Sequence, residues 1–143
     1  MTERCAKWEP VGDIAWPCAD ISFGVASTGR GLNFVMHFSR TRGAPPLDLE
    51  LGFHNAIALR WSDESFAYGW IPTPRPTPTL DTPGSERWAF PLLRVIDSSW
   101  LPTLGYATDR GGYEHFVLVS MNDIVHVEAR PDAGVRWSAP HAA

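Results

Sequence analysis

Cysteine is scarce in this 143-residue chain: only Cys5 and Cys18 occur, spaced unlike a zinc knuckle or a CxxC redox pair. Reduced thiols are expected. A Cys5 to Cys18 disulfide is the alternative reading, and it would imply export. Lysine is scarcer still, with Lys7 alone among twelve basic residues and arginine supplying the rest. Planar arginine donors are enriched at interfaces. Basic charge is in deficit, with a net charge of −4 and a pI near 5.7, which argues against nucleic acid or anionic membrane as partners, since both require a basic stripe. No run approaches the roughly 18 apolar residues needed to span a bilayer, and the first ten residues, MTERCAKWEP, lack the apolar core of a signal peptide. A cytoplasmic protein is expected.

Catalytic signatures are also missing. The chain has no GxSxG elbow, no HExxH and no glycine-rich strand-to-helix loop for phosphates, so neither an enzyme nor a cofactor is expected. Ser98 and Ser99 read as helix caps rather than nucleophiles.

What the chain does have is apolar and aromatic residues in alternation. Hydrophobic residues make up 44% and charged residues 20%, with seven Trp and seven Phe, a globular composition. At this length a single domain, residues 1–143, is expected.

Residues 47–71 organise the reading. Leu47, Leu49, Leu51 and Phe53 alternate with Asp48, Glu50 and Gly52, then Ile57, Leu59 and Trp61 alternate with Ala58 and Arg60, then Phe66, Tyr68 and Trp70 follow a turn at 62–65. A period of two places apolar groups on one face and carboxylates on the other, so the stretch reads as three strands folding back on one another. Before it, Ile21, Phe23 and Val25 and then Leu32, Phe34, Met36 and Phe38 form a hairpin, with Val25 opposite Phe34 and Ile21 opposite Phe38. Residues 1–18 read as an irregular lead-in whose indoles, Trp8 and Trp16, cap the core. Alternate prolines from Pro72 to Pro78 make 72–83 an extended surface connection.

Residues 88–96 read as a further strand, with an edge or bulge at Pro91, and 99–104 as a short helix. A closing hairpin turns at Asn122 and Asp123, pairing Leu118 with Val127 and Val119 with His126, and a short edge strand follows at Val135 and Trp137. The fold class is mainly β: an antiparallel β-sandwich or open barrel of about seven to nine strands with one short helix, α+β being the alternative.

Three chemistries have candidate residues. His115, His126 and Glu128 share one face of the closing hairpin and could in principle hold zinc, but the expected register separates the imidazoles by about four residues, on the order of 13 Å. No metal is expected. Asp48 and Glu50 share a strand face as a glycosidase pair would, although charge on an exposed sheet face is usually solvation. Trp61, Trp70 and Trp88, at or near strand ends, are the candidate platforms for stacking a sugar or other small ligand.

The order of an apolar strand, FHNAIALRWSDES, DSSWL and YEHFVLVSMNDIVHVEA resembles small bacterial proteins of unassigned function, some of them similar to immunity proteins paired with secreted toxins. The resemblance covers about half the chain and carries no functional residue over. It implies a stoichiometric binder without catalysis. The leading expectation is thus a non-enzymatic protein-binding domain of the immunity type with a protein partner, a toxin. Its contact surface is expected on a wet sheet face around Asp48, Glu50, His115, His126 and Glu128, with the turn carboxylates Asp63 and Glu64. The alternatives are a small-ligand or carbohydrate-binding β domain and a structural or assembly subunit that associates through an edge strand.

Overall fold

The computed structural model describes residues 3–24, 31–39, 45–63, 77–104 and 112–140. Among them are nine strands in two antiparallel sheets and one 3-10 turn, with no closed barrel. The strands are β1 (Arg4–Lys7), β2 (Asp20–Phe23), β3 (Leu32–Phe38), β4 (Leu47–Phe53), β5 (Ala58–Asp63), β6 (Leu92–Ile96), β7 (Glu114–Val119), β8 (Asp123–Ala129) and β9 (Gly134–Ser138). One sheet has the order β1-β6-β7-β8-β5 and the other β2-β3-β4-β9. The expected sandwich is the observed fold. The expected strand at 66–70, the tip of the first hairpin and prolines 72–76 lie outside the described residues.

Alternation builds the interface between the sheets. Phe34, Met36 and Phe38 from β3 and Leu49, Leu51 and Phe53 from β4 are all buried, as are Phe116, Leu118, Val125 and Val127 from the other sheet. Phe53 meets Phe116 at 5.2 Å between ring centroids, and Trp8 tilts against both, at 5.8 and 4.6 Å. Trp8 and Trp16 cap this core as expected. The lead-in itself is not wholly irregular, because Arg4–Lys7 pairs with β6 along the edge of the five-stranded sheet.

Two registers and one connection differ from expectation. β2 and β3 pair Ile21 with Met36 and Phe23 with Phe34, two residues from the expected alignment. The shift keeps every side chain on its face and stacks the Phe23 ring on Phe34 at 5.5 Å. In the closing hairpin, Leu118 pairs with Val125 and Val119 with Ile124. Here the turn falls at Met121 and Asn122, because the Ser120 hydroxyl accepts from the Asn122 and Asp123 amides at 3.2 and 2.9 Å while Ser120 N donates to Asp123 O at 2.9 Å. Moving a turn by one residue moves the register by two.

The third difference is topological. β4 and β5 are consecutive but belong to different sheets. Asn55 adopts φ 50° at the bend, and the chain beyond it is taken up by β8, with Ile57 N donating to Glu128 O at 2.8 Å and Arg130 N to His54 O at 3.2 Å. The four residues 54–57 let the chain cross the sandwich rather than close a tight hairpin.

The outer face of the five-stranded sheet is covered as well. Leu93, Val95, Val117 and Ile124 point away from the second sheet and are buried. Lys7 shares their face opposite Leu93 and reaches over the Phe90 ring, 5.1 Å from its centroid, to Asp81 at 3.1 Å, so the 80–90 segment packs on this side. The 3-10 turn Leu101–Leu104 and Trp100 cover the region near β7 and β8. Ser98 caps that turn as expected, its hydroxyl accepting from Leu101 N at 3.2 Å.

Candidate functional site

Polar side chains are concentrated beneath Trp100. Strand pairing places His115 opposite Glu128 and Val117 opposite His126, so the two imidazoles are diagonal neighbours. His115 Nε2 lies 2.7 Å from His126 Nδ1, and His115 Nδ1 lies 2.7 Å from the Ser98 hydroxyl. The expected separation is therefore corrected, and its cause is the Ser120 turn. Trp100 meets both rings edge-on, at 5.2 and 6.2 Å, and the Arg60 guanidinium stacks 5.2 Å from the Trp100 centroid.

The expected wet face is not wet. His115 and His126 are 2% exposed and Glu128 0%. Burial is the main reason each imidazole is held down to about 3; the Arg60 cation adds to it for His115, and for His126 the His115 ring and then Arg60 add to it while Glu3 opposes. Both rings are neutral at pH 7. Each contact joins a ring nitrogen to a group that can donate or accept, so the two bonds run together: with Ser98 donating to His115 Nδ1, His115 Nε2–H donates to His126 Nδ1, and with the opposite tautomers both run the other way.

Glu128 sits 3.4 Å from His115 Nδ1, yet neither of its oxygens makes a hydrogen bond among the described residues. Burial pushes its carboxyl up to about 8, so it too is neutral at pH 7. A neutral acid without a partner is far less costly here than a bare carboxylate would be.

Ser98, His115 and His126 have the connectivity of a nucleophile, base and orienting group. The chemistry does not follow: the hydroxyl is engaged as a cap, and an imidazole held near 3 is a weak base at neutral pH. Among the described residues no group of three or more His, Cys, Asp or Glu side chains is arranged to hold a metal ion.

The other candidates are dispersed. Asp48 is 2% exposed, not wet, and its Oδ1 lies 2.6 Å from His37 Nδ1 on the neighbouring strand. Asp20 flanks the same ring at 3.6 Å. Glu50 accepts from its register partner Arg136 at 2.9 Å near the surface. Asp63 is exposed at the end of β5, while Glu64 and Trp70 lie outside the described residues. Trp61 is flanked by Phe23 at 5.1 Å and Phe34 at 6.1 Å, and Trp88 packs on the core beside Arg87. Neither cysteine is in a disulfide, and burial pushes the Cys18 thiol far up.

Sequence reasoning missed one surface feature. Phe23, Ile57 and Leu59 belong to alternating apolar sets, yet they are 59%, 40% and 38% exposed. β2 and β5 are the terminal strands of their sheets and meet on one side of the sandwich, where Phe23 touches Trp61. Leu59 lies two residues from Trp61 on the same face of β5. A groove of about 480 Å3 lined by Leu32, Asn55, Ile57 and Leu59 adjoins them. The sequence signal was present as alternation, but only strand order shows that these positions fall at a sheet margin. No helix among the described residues is long and apolar enough to cross a membrane. Comparison with protein-family models, curated proteins and solved structures found no match to this chain.

Proposed function

We propose that this chain is a non-enzymatic protein-binding domain and that its contact surface is the margin where β2 and β5 meet. The observation carrying this reading is the exposure of Phe23, Ile57 and Leu59 together beside the groove. Large apolar side chains that a fold leaves in water at one place are the usual anchors of a protein contact.

The immunity reading follows from the resemblance in the sequence: the partner would be a bacterial toxin held inactive by stoichiometric binding. The acidic, compact sandwich is compatible with that role. Sugar stacking has less support, because the Trp61 ring is engaged by Phe23 and Phe34. The deciding experiment is to express the partner captured by this chain in cells, alone and together with the chain. Growth arrest relieved by co-expression supports immunity. A partner that is harmless on its own removes the toxin from the account.

A further inference from the structure

We propose that residues 98–104 form an acid-released latch, seated through Ser98 and Trp100 on the His115–His126 pair and lifted from the sheet when that pair takes up protons. The geometry supplies both halves of such a device. In the closed state the Ser98 hydroxyl and His115 Nδ1 share a hydrogen bond at 2.7 Å, and the Trp100 ring stands edge-on to both imidazoles. A protonated His115 carries hydrogen on both nitrogens, and so does a protonated His126. With both rings charged, neither His115 Nε2 nor His126 Nδ1 can accept, and their 2.7 Å contact sets two hydrogens against each other.

Among the described residues, Arg60 opposes protonation of both rings, whereas Glu3 favours it for His126. From β5, Arg60 already presents a cation, stacked on Trp100 above the two rings. From β8, Glu128 faces them as a neutral acid. β6 contributes only Val95 at the position opposite His115. Glu3, ahead of β1, favours a charged His126; it also fastens the latch directly, accepting from Ser99 N at 2.9 Å and from the Ser99 hydroxyl at 3.1 Å. Asp97 precedes the latch and is exposed.

Linkage sets the pH window. Exposed imidazoles titrate near 6.5, whereas in the closed state both are held to about 3, so opening is coupled to uptake of up to two protons between those values. Across that window the opening constant rises up to about a hundredfold per pH unit. Opening uncovers the apolar outer face around Val95 and Val117 without requiring the sandwich to come apart.

Hydrogen exchange followed by mass spectrometry, corrected for intrinsic exchange rates, tests this on the whole chain between pH 7 and pH 4. The latch predicts that amides in 98–104 lose protection at a pH where β3, β4 and β8 keep theirs. Retention of protection in 98–104 until the strands themselves exchange overturns the proposal. So does the same pH-dependent release in a folded His115→Asn/His126→Asn variant, because the protons would then be binding elsewhere.

Discussion

His115 Nε2 and His126 Nδ1 face each other at 2.7 Å inside a sheet face that carries no water-exposed imidazole. Two neutral rings and a neutral carboxyl, Glu128, thus occupy positions that polarity alone would assign to the surface.

The joint contribution of these three groups to stability peaks near pH 6.5. Below 6.5 the unfolded chain binds imidazole protons that the folded chain refuses down to about 3, so stability falls as pH falls. Glu128 has the opposite sign: its folded value near 8 lies above the unfolded 4.5, so its contribution is complete below 4.5 and is lost as pH rises to 8. Between 4.5 and 6.5 two imidazoles outweigh one carboxyl, and from 6.5 to 8 the carboxyl acts alone. Urea midpoints at pH 5, 6.5 and 8 should peak at the middle value, and Glu128→Gln should abolish the decline on the alkaline side. A wild-type profile that climbs steadily to pH 8 contradicts the neutral-acid assignment.

Asp48 and Glu50 share a strand and a face but not an environment. Asp48→Ala removes a buried charged partner of His37 and should cost about 2–3 kcal/mol. Glu50→Ala breaks a bridge to the largely exposed Arg136 and should cost less than about 1 kcal/mol. Denaturant midpoints of the two variants should separate clearly. Equal losses would mean that Asp48 is hydrated in solution.

Ser120 sets the register of the closing hairpin. Ser120→Ala leaves the Asn122 and Asp123 amides without their acceptor and should cost about 1–3 kcal/mol. The His115–His126 contact depends on that register, so nuclear Overhauser effects between the two rings are its direct check.

Phe23 and Phe34 stack on each other, yet only Phe34 is buried. Phe34→Ala should cost about 3–5 kcal/mol. Phe23→Ser forfeits two aromatic contacts at the surface, with Phe34 and Trp61, and should cost about 1–2 kcal/mol. A Phe23 variant as damaged as the Phe34 variant would make Phe23 a core residue rather than a contact.

Period-two alternation made the strands legible, since Leu49, Leu51 and Phe53, or Phe116 and Leu118, announce a buried face without any tertiary information. Which strands pair was less legible, because the β4 to β5 crossing depends on a bend at Asn55 and on amides caught by β8. The candidate site was half visible. His115, His126 and Glu128 stand out in the sequence as a trio, but polarity suggests water, and the segment that covers the two imidazoles, 98–100, has no periodicity to show where it packs. Ser98 was read correctly as a cap, while its second contact, with His115, was invisible because it depends on the position of the whole turn above the sheet.

The binding role is tested most directly by using the tagged chain as bait in lysate of its native host, with native mass spectrometry to give stoichiometry and with Phe23→Ser and Leu59→Ser run in parallel. The account predicts one partner at fixed ratio with the wild-type chain and its loss from both variants while their circular dichroism is unchanged. An empty capture by a monomeric wild-type chain, or a partner that both variants retain, contradicts it.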